Sequence, residues 1–354
     1  MKQQIDIQGR KVGKDAPVFI IAEMSANHLM DYERAVEIIK QAAKAGADAI
    51  KLQTYTPDTI TIDCDKEYFQ IRQGTIWDGT TFYKLYKDAY TPWEWQPDLF
   101  RIASENGLIC FSSPFDNTAV DFMEKTGMPA YKIASFEIND MGLIRKAART
   151  GKPVILSTGI ALPEDIERAL NICREEGNEN VVLLKCTTTY PAPYEDINLR
   201  VIEDMSRKYH CITGISDHTM GMEVAVASVA LGAKVIEKHF TLSRADGGPD
   251  AAFSMEPEEF RQLVQGVRNV EKALGKVTYE LTEKQKNSRK HSRSLFVVND
   301  MKAGDEFTEE NVKSIRPGYG LHTMYYADIL GKHAAVDIER GTPMAWELME
   351  EGRK

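Results

Sequence analysis

The chain has 354 residues, 43% hydrophobic and 27% charged, and carries a formal net charge of −9. This is the composition of an ordinary soluble globular protein, long enough for one large domain and a smaller one. The acidic balance argues against a nucleic-acid or anionic-membrane surface, and no apolar run approaches the ~18 residues of a membrane span.

Taken in order, short apolar runs recur: "VFIIAE" (18–23), "ADAIKLQ" (47–53), "LICFSS" (108–113), "AYKIAS" (130–135), "PVILST" (153–158), "NVVLLKC" (180–186), "CITGIS" (211–216) and "KVIEKH" (234–239). Between them the apolar residues change to helical spacing. "DYERAVEIIKQAAKAG" puts Ala35, Ile38, Ile39 and Ala42 on one face and stops at Gly46. "LPEDIERALNICREEG" does the same with Ile166, Ala169, Leu170 and Cys173. Alternating strands and helices predict βαβ units and a parallel sheet. Eight such units suit a closed (β/α)8 TIM barrel, which typically takes ~250 residues. A doubly wound open sheet is the alternative, without a GxGxxG after the first strand to support it.

One connection is long. Residues 54–91 separate the second strand from its helix and carry Tyr55, Tyr68, Phe69, Trp77, Phe82, Tyr83 and Tyr86. A connection of that length is either functional, such as a lid over a ligand, or an excursion with its own small core. The expected barrel domain is 1–281. The polar, basic stretch "TEKQKNSRKHSRS" (282–294) reads as a linker, and 295–354 as a small, mostly β domain. The cysteines Cys64, Cys110, Cys173, Cys186 and Cys211 are scattered without a CxxC pair. Neither a disulfide framework nor a zinc ribbon is expected. With no apolar leader in "MKQQIDIQGRKVGKDAPVFIIAE", this predicts a cytoplasmic protein.

In a (β/α)8 barrel the chemistry gathers at the C-terminal ends of the strands. Strand alternation then says which side chains face the axis. In "AIKLQ", Ile50 and Leu52 suit the helix side, so Lys51 and Gln53 face inward; Lys132, between Ala130 and Ala134, does likewise. Two inward lysines need anionic partners. A phosphate or carboxylate ligand would serve, and so would salt bridges to Glu23, Glu137 or Glu237. Ser112, Ser113, Ser135, Ser157, Thr158, Thr187, Thr188 and Ser216 cluster at the same strand ends, where hydroxyls donate to phosphate oxygens. His218 and His239 close successive strands, 21 residues apart, about one βα repeat. Side by side at the mouth they would form an open metal site completed by water and substrate. The alternative is one acid–base histidine and one structural one. Glu23, followed by Asn27 and His28, and Asp250 in "RADGGPDAAFS" are candidates for sugar hydroxyls or proton transfer; loop caps and turns are the plainer reading of each.

The motifs "IAEMSANH", "KLQTYTPD", "FSSPFD", "YKIASFEIND", "LSTGIA", "KCTTTYPAP", "ISDHTMG" and "EKHFTL" occur in the order seen in the sialic acid synthases. The tail "RSLFVVNDMKAGDEFTEENVKSIRPGYG" resembles the antifreeze-like (SAF) domain of that family. The resemblance covers almost the whole chain. "QTYTPDTIT", "GTIWDGTTFYKLYKDAYTPWEW" and Ser25, where the sialic acid branch usually has Gly, resemble the pseudaminic acid branch.

The resemblance implies a transferase that condenses phosphoenolpyruvate (PEP) with an acetamido sugar and releases phosphate by C–O cleavage. For this branch the sugar is 2,4-diacetamido-2,4,6-trideoxy-L-altrose, with N-acetylneuraminic or legionaminic acid synthesis as the alternatives. The product would be a nine-carbon acid of the kind found on bacterial flagellin and surface polysaccharide. By the same resemblance His218 and His239 would bind a divalent cation, Mn2+ first, with Mg2+ or Co2+ as alternatives. Lys51, Ser113, Lys132, Ser135, Ser157, Thr188 and Ser216 would hold PEP; the sialic branch commonly has Asn in place of Thr188. Glu23, Gln53, Tyr190 and Asp250 would face the sugar. Arg316 would reach the partner's active site in a homodimer whose C-terminal domain caps its neighbour. Glu23 or Glu237 would take the proton from water. Two other readings compete: a non-catalytic glycan- or ice-binding protein, and an aldolase acting on a phosphorylated sugar. The second would need an Arg-rich phosphate site that the strand ends lack.

Overall fold

The structure, a computed structural model, describes residues 1–72 and 74–350. The strands run β1 (Gln4–Ile7), β2 (Arg10–Gly13), β3 (Phe19–Glu23), β4 (Ala49–Thr54), β5 (Ile109–Pro114), β6 (Tyr131–Ile133), β7 (Val154–Ser157), β8 (Val181–Cys186), β9 (Ile212–Asp217), β10 (Val235–His239), β11 (Ser294–Val297) and β12 (Val312–Ile315). Eight of them, β3 to β10, close into a parallel barrel in which β10 pairs with β3. Each is followed by its barrel helix, from Tyr32–Ala45 after β3 to Pro257–Leu274 after β10. The expected (β/α)8 barrel is thus the fold.

The barrel strands read as nearly continuous apolar runs because both of their faces are covered. All five residues of β3 and all four of β7 are buried. The helices obey the pattern in the sequence. Helix Tyr32–Ala45 buries Ala35, Ile38, Ile39 and Ala42; Asp31 caps its start and Gly46, at φ +89°, its end. Two apolar clusters result. One holds Ile50 and Leu52 of β4 together with Ile38 and Ala42 of the first barrel helix. The other contains Phe19, Phe111, Val154 and Val235 together with helix residues such as Leu143, Ile144 and Leu170. In residues 1–17, where no element was expected, the β1–β2 hairpin forms, and its Ile5, Ile7 and Val12 join that second cluster. This leaves the C-terminal ends of the strands for chemistry.

The excursion 54–91 is folded, as the second reading of it expects. It contains helices Pro57–Ile60 and Phe82–Ala89. It also has its own aromatic packing, with Tyr55 5.6 Å from Tyr86 and 5.1 Å from Phe115 between ring centroids. Cys110, Cys173, Cys186 and Cys211 are buried free thiols, and Cys64 is a half-buried one. No described helix is long and apolar enough to cross a membrane.

A second compact unit begins at Lys276. Its first part carries a short exposed helix, Glu283–Arg289, inside the stretch read as a linker. β11 and β12 then pair antiparallel, from Ser294↔Ile315 to Val297↔Val312. Leu295, Val297, Phe307, Val312, Ile329 and Met344 form its core. Single bridges such as Met301↔Ile338 and Ala334↔Met349 supply the rest of its β character. The expected domain end at 354 lies outside the described residues.

Candidate active site

A cavity of about 680 Å³ opens among the C-terminal strand ends. The alternation argument holds on its walls. Lys51 and Gln53 of β4, Lys132 of β6 and Glu237 and His239 of β10 all line it, as does Glu23 at the end of β3. Both lysines are buried and both have carboxylate partners. Lys51 Nζ lies 2.5 Å from Glu23 Oε2 and donates to Ser113 Oγ at 3.1 Å. Lys132 Nζ lies 2.7 Å from Glu237 Oε1, and Lys51 lies 4.0 Å from Glu237 Oε2. The salt bridges therefore exist, yet the groups still face an open cavity. Burial is the largest influence on Glu237 and raises its pKa, but the Lys132 and Lys51 ammoniums outweigh it and hold the carboxyl at about 2. The four charges sum to zero, so an entering anion competes with Glu23 and Glu237 for the same two ammoniums.

The hydroxyls divide between the cavity and the structure around it. Ser113, Ser135, Ser157 and Ser216 line the cavity. Ser216 Oγ donates to Glu237 Oε1 at 3.0 Å, and Ser157 Oγ is buried with no hydrogen-bond partner. Ser112 faces the helices, 2.6 Å from Thr54 Oγ1. Thr158 Oγ1 donates to the Leu184 carbonyl, and Thr187 Oγ1 to the Asp196 carbonyl. Thr188, expected on PEP, is not among the cavity-lining residues. Its methyl instead packs beside Gly159, where an added Cβ would sit 2.5 Å away.

His218 and His239 come together as their spacing predicts, with ring centroids 5.2 Å apart. His218 Nδ1 sits 2.9 Å from the Thr187 carbonyl, which fixes the ring and leaves Nε2 free of that bond. His239 Nδ1 is buried without a hydrogen-bond partner. Burial first, then the charges of His218 and the nearby lysines, holds the His239 pKa well below its ordinary value. A neutral imidazole with an unbonded nitrogen is the form in which histidine binds metal. Among the described residues no group of three or more His, Cys, Asp or Glu could hold an ion. The unbonded nitrogens of His218 and His239 are the ones that could hold a cation, with water or substrate completing the shell.

The sugar candidates Gln53, Tyr190 and Asp250 line the same cavity. Gln53 Nε2 donates to Glu23 Oε1 at 3.1 Å and to Ser25 Oγ at 2.8 Å. Asp250 accepts from the Ala26 N–H. Tyr190 stands between Trp77 and His218, at ring distances of 5.3 and 4.4 Å. Asn27 and His28 have structural contacts: Asn27 donates to the Phe240 carbonyl, and His28 Nε2 lies 3.2 Å from Thr91 Oγ1. Arg316 is exposed in the second unit, directly after β12.

Among the cavity residues that escaped the sequence reading as site residues are Ser25, Cys186 and Glu137. Ser25 adopts φ +49°, the left-handed region that favours glycine, and its hydroxyl braces Gln53. Cys186 Sγ lies 3.8 Å from His218 Nδ1. Glu137 follows β6 in a 3-10 turn, and its Oε2 is buried with no hydrogen-bond partner. Burial, opposed by Lys132, pushes its carboxyl up to about 7. It was legible only as a possible ion-pair partner of the lysines, because the turn after so short a strand breaks the alternation.

Comparison with known proteins finds relatives over most of the chain. A pseudaminic acid synthase of Campylobacter jejuni is 48% identical over 327 residues, 92% of this chain and 95% of that protein. One from Helicobacter pylori is 42% identical over 335 residues, 94% of this chain and 98% of that protein. The crystal structure of an N-acetylneuraminic acid synthetase from Leptospira borgpetersenii, in complex with citrate, superposes with a TM-score of 0.72 at 33% identity. It covers 81% of this chain and 95% of that one. The SAF domain model matches residues 292–349. The NeuB family model matches residues 38–279, the barrel that carries the paired lysines and histidines, and the chain belongs to the NeuB family.

Proposed function

We propose that this protein is a pseudaminic acid synthase. It condenses PEP with 2,4-diacetamido-2,4,6-trideoxy-L-altrose and releases inorganic phosphate by cleaving the C–O bond of PEP. The observation that carries this reading is one cavity that holds two buried ammoniums, five serine hydroxyls and two adjacent imidazoles. The identity of 42–48% to relatives bearing that name supports the choice of sugar over N-acetylmannosamine or the legionaminic acid precursor.

Lys51 and Lys132 hold the phosphate and carboxylate of PEP, helped by Ser113, Ser135, Ser157 and Ser216. Glu23 and Glu237, their present partners, hold the two ammoniums in place. Gln53, Tyr190 and Asp250 orient the sugar, with Glu23 at its edge. A divalent cation at His218 and His239, Mn2+ first, would supply Lewis-acid polarisation of the sugar aldehyde. C3 of PEP forms the new bond to the aldehyde carbon, water adds at C2, and the C2–O bond to phosphate breaks. Glu137 accepts the proton from that water. It suits the task better than Glu23 or Glu237, which are tied to lysines, because it is in no ion pair among the described residues and burial pushes its pKa up to about 7.

The remaining assignments rest on the family resemblance alone. Arg316 would reach the sugar in the partner subunit of a homodimer capped by the C-terminal domain. The domain limits 1–281, 282–294 and 295–354, a cytoplasmic location and a product destined for flagellin or surface polysaccharide belong to the same proposal. The test is a panel of three acetamido sugars with PEP, read as phosphate release and as the mass of the nine-carbon product. Phosphate and product only with N-acetylmannosamine would favour the N-acetylneuraminic reading. No phosphate with any of them would reject the synthase reading.

A further inference from the structure

The strand residues account for the anion and cation side of the cavity and leave its other wall unexplained. That wall comes from the excursion 54–91: Ile60, Ile71, Phe82, Leu85, and the rings of Trp77 and Tyr86 all line the same cavity. Ile71 is fully buried there, and Phe82 stacks on Tyr86 at 6.0 Å. The one polar atom of Trp77 is already used, since its indole N–H donates to the Pro249 carbonyl at 2.9 Å. This wall therefore offers a ligand area and dispersion contact but few hydrogen bonds. A sugar hydroxyl placed against it would lose its water without replacement, at a cost. A methyl group there would gain from burial.

We propose that the wall formed by Ile60, Ile71, Trp77, Phe82, Leu85 and Tyr86 is a specificity-determining subsite for the methyl-bearing end of a 6-deoxy acetamido sugar. It takes the terminal methyl carbon and the methyl of an acetamido group. This deepens the synthase reading and rests on it. Position in the chain supports the division of labour. Lys51, Gln53, Lys132, Ser216, Glu237 and His239 sit on strands at the barrel mouth. The apolar ones sit on an insertion beyond the end of β4, above those strands. A single methyl or hydroxyl difference in an apolar pocket is worth roughly 10- to 200-fold in kcat/KM.

The experiment measures kcat/KM for the diacetamido 6-deoxy sugar and for its 6-hydroxy counterpart of the same stereochemistry, with PEP saturating. The wild-type enzyme is expected to prefer the 6-deoxy sugar by about 100-fold. Leu85→Ser and, independently, Ile60→Ser are each expected to lower that ratio about tenfold while the KM for PEP stays unchanged, which also reports that the variants are folded. Equal or better turnover of the 6-hydroxy sugar by the wild type overturns the subsite and leaves the synthase reading standing. So does a ratio that both variants preserve. If neither sugar releases phosphate from PEP, the synthase reading fails instead. The subsite is then judged by calorimetric binding of the two sugars, and equal affinities or no binding overturn it.

Discussion

Replacing Lys132 with methionine separates the two meanings of a buried lysine. Its ammonium lies 2.7 Å from Glu237 Oε1, and both residues are buried. Methionine keeps the length of the side chain and removes the charge. Breaking one side of a buried ion pair typically costs about 3–5 kcal/mol, because the other charge is left uncompensated. Here Lys51 remains 4.0 Å from Glu237, and Ser216 still donates to it, so the expected loss is at the low end, about 3 kcal/mol. If Lys132 only balanced Glu237, Lys132→Met with Glu237→Leu would restore stability and leave PEP binding intact. If it also holds PEP, binding falls by a charge-assisted contact of roughly 1.5–3 kcal/mol, about ten- to more than a hundredfold. That deficit persists in the double variant. The assay pairs urea unfolding of the wild type and both variants with calorimetric titration of PEP. Recovery of wild-type PEP affinity in the double variant would refute the anion-site assignment and leave the salt bridge as the whole role of Lys132.

Three further outcomes are expected. Glu137 must be ionised to accept a proton, so kcat should rise with pH through about 7; Glu137→Gln should lower kcat by roughly 10²–10⁴ and abolish that rising limb, and an unchanged profile would exclude it as the base. His218→Ala and His239→Ala should each lose turnover and calorimetric binding of Mn2+ while the thermal transition stays cooperative, and EDTA-treated enzyme should be inactive until Mn2+ or Mg2+ is returned; full activity after chelation would contradict the cation site. Arg316→Ala and His218→Ala should be nearly inactive as homodimers, and mixing them should restore up to half of the wild-type activity per heterodimer if the C-terminal domain caps its partner; heterodimers confirmed by native mass spectrometry but without activity would reject the capping.

Much of this protein was legible before any coordinates. Apolar runs separated by amphipathic helices fix eight βα units, because burial on both faces of a parallel strand is a local property of the sequence. Parity within a strand placed Lys51 inward between Ile50 and Leu52, and a spacing of one βα repeat brought His218 beside His239. These inferences need only neighbouring residues. The structure decided whatever depends on closing the barrel. Lys132 and Glu237 are 105 positions apart, and only the convergence of β6 and β10 at the mouth pairs them. Glu137 stands in a turn where alternation ends, so its unbonded carboxylate oxygen had no periodic signal. Thr188 has the right side-chain chemistry, and only the folded structure shows that its methyl packs beside Gly159 and that it is not among the cavity-lining residues. The excursion 54–91 showed its aromatic content in the sequence, but only its folding back over β4 makes Ile60, Ile71 and Leu85 one wall of the cavity. Periodicity is written residue by residue along the chain, whereas the meeting of strand ends and loops is settled by three-dimensional closure, which no local pattern encodes.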